Sequence, residues 1–129
     1  MDNIYSGQEN QVSEVDVQMA LKPFNWGAFF FTYMWGLGNG SLGKTAPIFV
    51  CDILLAVPLI NLLAIFVGLG LRIYAGINGN KWAYEGRAWY DLYDFTDTQV
   101  RWAKCVAVLV SVGLAFFFMG LFAAMLGGH

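Results

Sequence analysis

The sequence predicts an all-α fold: a small polytopic membrane protein with two to three membrane-embedded helical segments and an amphipathic cytoplasmic connecting helix. Of its 129 residues, 58% are apolar and only 12% are charged, where an ordinary soluble domain carries roughly a quarter charged residues. The charges are also grouped. Lys22 and Lys44 bracket one uncharged stretch, Asp52 and Arg72 bracket another, and nothing ionisable lies between Lys104 and His129. Three membrane-compatible windows result, and the length supports one domain. A net charge of −2 provides no basic footprint, so nucleic acid is excluded as a partner.

Residues 1–22 read as a polar, acidic amino-terminal tail, solvated or docked on a partner. Asp2, Glu9, Glu14 and Asp16 stand where a signal peptide would need a basic and then an apolar region, so insertion is expected to use internal segments. Asp2 also replaces the glycine that myristoylation requires, and the carboxyl end has no prenylation cysteine.

Residues 23–129 read as a single membrane domain. In its first segment, 24–38, Trp26, Phe29, Phe30 and Tyr33 share one helical face at i, i+3, i+4 and i+7. Tryptophan and tyrosine favour the headgroup level, which makes Trp26, Tyr33 and Trp35 candidate interface anchors on an interfacial or inserted segment. Gly36 and Gly40 form a GxxxG, but Gly38 and Asn39 between them favour a loop over a helix-packing face.

The second segment, 45–71, is long enough to cross, yet Pro47 and Pro58 interrupt it and Asp52 and Asn61 place polar groups inside it. A single span kinked before Pro58 is expected, with a re-entrant hairpin as the alternative. Ala64 and Gly68 are a small pair suited to close helix packing. Asp52 is a possible intramembrane titratable group, or a carboxylate near the surface where water reaches it.

The connector, 72–101, combines a turn signal at Asn78-Gly79-Asn80 with a helix expected from Lys81, on which Trp82 and Trp89 share a face and anchor it to the membrane surface. Thr96, Asp97 or Thr98 would cap the next helix. Asp91, Asp94 and Asp97 recur every third residue, a spiral that does not match a calcium loop and reads as solvated charge. Five of the seven basic residues, Arg72, Lys81, Arg87, Arg101 and Lys104, lie in or beside this connector. The positive-inside rule then makes it cytoplasmic and puts the carboxyl terminus outside.

The terminal span, 102–127, exceeds the ~20 apolar residues needed to cross a bilayer. Trp102 fits the near interface. Ala103, Ala107, Ser111 and Ala115 recur every four positions as a thin stripe for close helix approach, against another span of this chain or a partner subunit.

The string Phe24-Asn25-Trp26-Gly27-Ala28-Phe29-Phe30, its continuation Trp35-Gly36-Leu37-Gly38-Asn39, the block Gly79-Asn80-Lys81-Trp82-Ala83, and the spaced Trp89, Phe95, Gln99, Trp102 and Ala103 resemble a family of small bacterial inner-membrane proteins known only as a domain of unknown function. The resemblance covers residues 24–103. It implies a fold and a bacterial inner-membrane location, and no activity. Tyr90 and Tyr93 depart from the charged residues expected after Trp89.

Enzymatic apparatus is absent from the sequence. His129 is the sole histidine, Cys51 and Cys105 each sit alone in an apolar run, and no nucleophile, P-loop or dinucleotide motif occurs. No catalytic, cofactor or metal site is expected. The expected role is that of a structural or accessory subunit, its partners the lipid bilayer and a larger membrane complex or further copies of itself; the alternative is an oligomeric pore or small ion or proton conductor involving Asp52.

Overall fold

The computed structural model describes residues 13–128, and every regular element among them is an α-helix: α1 (Glu14–Leu21), α2 (Trp26–Phe31), α3 (Tyr33–Gly38), α4 (Leu42–Leu54), α5 (Asn61–Gly86) and α6 (Leu92–Gly127). Residues 1–12 of the expected tail, and His129, lie outside the described residues.

The tail ends in a helix. Ser13 and Asp16 form a reciprocal capping box, in which the Asp16 amide donates to Ser13 Oγ at 3.2 Å and the Ser13 amide to Asp16 Oδ2 at 3.3 Å. Ala20 and Leu21 at its far end pack against the core.

The aromatic segment 24–38 is two short helices rather than one. Asn25 caps α2 by accepting the Ala28 amide at 2.8 Å. Thr32 then takes φ +43°, a conformation costly for a β-branched residue, and breaks the run before α3.

Segment 45–71 is not the kinked single span. Helix stops at Leu54, the chain turns through residues 55–60, and α5 folds back along α4 as a hairpin. Pro58 has no amide hydrogen to give, which suits it to the bend. Around it the Leu55, Ala56, Val57 and Ile60 amides find the carbonyls of Cys51, Ile53, Leu54 and Val57 at 3.1–3.2 Å, so the turn satisfies these donors internally. Ala64 and Gly68 are buried on α5, and a Cβ on Gly68 would lie 3.5 Å from that of Cys51 on α4.

The expected turn at Asn78-Gly79-Asn80 is likewise helical, in the body of α5. Tertiary demands override the local signal here. Phe24 lies against Gly76, a Cβ on Gly79 would stand 2.8 Å from that of Ala28, and the Asn80 side chain is held by hydrogen bonds from outside its helix. The stretch read as one connecting helix is therefore divided between the end of α5, a short loop and the start of α6. Trp82 lies on α5 and Trp89 in the loop, so they share no helix face. Asp91, not Thr96, Asp97 or Thr98, caps α6, accepting the Asp94 amide at 2.7 Å.

α2 wedges between α5 and α6, touching both. The Tyr84 ring meets Phe95 at 5.4 Å between centroids, while Asn80 and Gln99 both reach Asn25. Moving back along α5 thus accompanies moving forward along α6, and the two are antiparallel here. Trp35, Phe95, Ile48, Ala28, Ala75 and Ala83 form the core.

Both α5 and α6 are long and apolar enough to cross a membrane. Only 6% of the apolar window of α6 is buried, which separates it from the core helix of a soluble protein. Beyond Val106 every described residue of α6 is exposed. Ala107, Ser111 and Ala115 are among these exposed residues, so the stripe is not buried against another helix of this chain.

Candidate functional site

Where α2, α3, α5 and α6 meet, four carboxamides and one indole form a closed, uncharged cluster. Asn25 Nδ2 donates to Asn80 Oδ1 at 2.7 Å and to Gln99 Oε1 at 2.8 Å. Gln99 Oε1 also accepts from Trp35 Nε1 at 3.1 Å, and Gln99 Nε2 donates to Asn39 Oδ1 at 2.8 Å. Asn39 returns to the Trp35 carbonyl at 2.8 Å, and Asn80 Nδ2 donates to the carbonyls of Pro23 and Ala20 at 2.9 and 3.3 Å. Asn25, Asn39 and Asn80 are buried, and no buried side-chain polar atom among the described residues lacks a partner. A satisfied network of this kind fixes one arrangement of the helices, because displacing any member strands the others.

The backbone closes up around the cluster. Gly40, at φ +67°, lies against Gly86, so that a Cβ on Gly86 would meet the Gly40 carbonyl oxygen at 2.7 Å. The Ser41 hydroxyl donates to the Trp82 carbonyl at 2.9 Å beside it. A Cβ on Gly27 would stand 2.7 Å from that of Trp102. A cleft of about 210 Å³ opens between α1, α2, α5 and α6, with Asn25, Asn80, Thr96 and Gln99 in its wall among apolar residues that include Phe24, Trp26, Val100 and Ala103.

The residues that carry the resemblance, from Asn25 through Asn39 and Asn80 to Gln99, converge on this cluster. As candidate site residues in their own right the amides escaped notice, because a lone Asn or Gln carries no motif. The one local signal is that the three asparagines each stand beside an aromatic or a glycine; Gln99, between Thr98 and Val100, has none.

The proposed anchors separate into three groups. Trp35 is fully buried, which removes it from any headgroup contact. Its indole serves the cluster instead. Trp26 is half exposed amid Phe24, Phe29 and Phe30, at ring distances of 4.7–6.2 Å. Tyr33, Trp82, Trp89 and Trp102 are half-buried: Tyr33 meets Phe49, Trp82 meets Tyr74, Trp89 lies 3.9 Å beneath the Arg87 guanidinium, and Trp102 packs on Phe31.

Asp52 has a partner that the sequence reading missed. Arg72, eight residues before Asn80 on α5, reaches across the hairpin and holds both carboxylate oxygens. Asn61 lies at the other end of the hairpin, at its bend. Asp97 pairs with Arg101 at 2.8 Å within α6, and among the described residues no group of three or more acidic, cysteine or histidine side chains could hold a metal ion. Cys51 is buried and Cys105 exposed, both free.

Comparison of the chain with protein-family models, with curated proteins and with solved structures finds no match.

Proposed function

We propose that this is a non-enzymatic small integral membrane protein, an accessory or structural subunit that assembles through the free length of α6 with a larger membrane complex or with copies of itself. The observation that carries the reading is the exposure of α6 from Ala107 to Gly127, with Ala107, Ser111 and Ala115 at four-residue spacing on that exposed length. At helical rise that length covers about 32 Å, the thickness of a hydrocarbon core. Small residues let a second helix approach closely where apolar burial alone drives nothing.

The resemblance to small bacterial inner-membrane proteins supports that location. The basic residues of 72–101 favour a cytoplasmic connector and an external carboxyl terminus. A hairpin of α4 and α5 returns to the side it left, which supports a cytoplasmic tail as well. The pore reading is weaker: a conductor at Asp52 needs a free carboxylate, and both of its oxygens are engaged by Arg72.

The test is extraction of the native membrane in a mild detergent and capture on a carboxyl-terminal tag. A stoichiometric complex, with larger subunits or as a defined homo-oligomer, is the expected result. A chain recovered only as a monomer overturns the reading.

A further inference from the structure

A groove of about 400 Å³ runs between α4 and α5, lined by these two helices alone, and its two ends differ chemically. At the end nearer the amide cluster stand Lys44, Trp82 and Tyr74; toward the hairpin bend it is walled by Pro47 and Leu71 and floored by buried Ile48. The Lys44 ammonium lies 5.7 Å over the Trp82 ring and 3.8 Å from Glu85 Oε2, with both charged side chains about half exposed. At that distance the pair is at the limit of an ion pair, and each charge keeps room for a second partner. A cation and an anion a few ångströms apart, with an aromatic pair beside them and an apolar trough below, complement a zwitterion that carries a chain.

From this complementarity we infer that the groove binds one amine-headed zwitterionic phospholipid, a phosphatidylethanolamine. The phosphate sits on Lys44, the primary ammonium donates to the Glu85 carboxylate, and an acyl chain lies along Pro47 and Leu71. Tryptophan and tyrosine at the headgroup level match this placement. Glu85 sets the selectivity: it repels the net negative charge of a phosphatidylglycerol, and a choline head has no N–H to donate to it. The inference rests on the membrane reading above.

The test reconstitutes the full chain into phosphatidylcholine vesicles containing a minor fraction of chain-brominated phosphatidylethanolamine, phosphatidylcholine or phosphatidylglycerol. Quenching assigned to Trp82 is the difference between the wild type and Trp82→Phe. Brominated phosphatidylethanolamine is expected to compete for the groove about two- to fivefold better than brominated phosphatidylcholine, the scale of one exposed charge pair. Glu85→Gln should bring that ratio to about one, while Lys44→Gln should weaken both lipids alike. Native mass spectrometry of the wild type and Glu85→Gln with the same lipids reads the same ranking without Trp82→Phe. A wild-type ratio of one, a preference for phosphatidylglycerol, or a preference that survives Glu85→Gln overturns the inference. A chain that does not float with the vesicles overturns the membrane reading with it, whereas one that floats without headgroup preference overturns the lipid site alone.

Discussion

One guanidinium nitrogen of Arg72 stands 2.8 Å from one carboxylate oxygen of Asp52 and 2.9 Å from the other, bridging the two arms of the α4–α5 hairpin. Each side chain is about a quarter exposed, so the pair is neither fully desolvated nor free in water. Removing one partner strands the other among apolar neighbours. Asp52→Asn and Arg72→Gln should each cost about 1–3 kcal/mol, below the range for a fully buried pair. The joint Asp52→Leu, Arg72→Leu exchange should recover most of that loss. Denaturant unfolding in micelles, followed by helical circular dichroism, measures both; equal stability of the single variants and the wild type would contradict it.

Glycines on α5 divide by what surrounds them. A Cβ on Gly79 would meet Ala28 Cβ at 2.8 Å and Asn25 Cβ at 2.9 Å, whereas one on Gly70 would meet nothing within 4 Å. Gly79→Ala should therefore push α2 away from α5 and cost about 2 kcal/mol. Gly70→Ala should be neutral or stabilising by up to about 1 kcal/mol, through helix propensity alone. Thermal melts of the two variants side by side separate packing from propensity.

Gln99 serves three residues of the cluster at once: it accepts from Asn25 and Trp35 and donates to Asn39. Gln99→Leu fills similar space but leaves those groups unpaired, at a cost of about 2–4 kcal/mol. The specific readout is the Trp35 indole proton. Its hydrogen exchange should accelerate in Gln99→Leu well beyond that of the half-exposed Trp26.

Bulk added to the exposed stripe should leave the isolated chain alone and affect only assembly. Ala107→Phe and Ser111→Phe change exposed side chains, so the melting temperature in detergent should stay within about 2 °C of the wild type, as surface changes usually do. Capture of partner subunits or further copies from native membranes should fall with both. Unchanged capture would remove the stripe from the interface.

The all-helical class and the long apolar stretch of α6 were legible because composition and charge spacing are properties of the chain itself, whereas the bounds of α5, which runs through both the expected segment end and the expected turn, were not. Asp52 stood out for the same reason, though its partner did not: Arg72 is distant in sequence and becomes a neighbour only when the chain folds back near Pro58. Asn78-Gly79-Asn80 misled because its turn propensity is local, while the need for glycine at 79 arises from α2 pressing on that face. Trp35 looked like its neighbours in a run of aromatics, and only its burial and its contact with Gln99, both products of the fold, distinguish it from Trp26. The amide cluster is assembled from four separate elements, and no window along the chain contains it.

α6 runs from Leu92 to Gly127 without interruption, with Gln99 in its second turn. A rod with no hinge cannot absorb a change of slope at one end without showing it at the other. Transmembrane helices adjust their tilt to the thickness of the surrounding bilayer. In the proposed setting any such adjustment reaches the side chain that ties Asn25, Trp35 and Asn39 together, so the helix works as a lever arm whose short end is set in the cluster. Thinner or thicker membranes would then be felt first as strain at Gln99, far from the lipid that caused it.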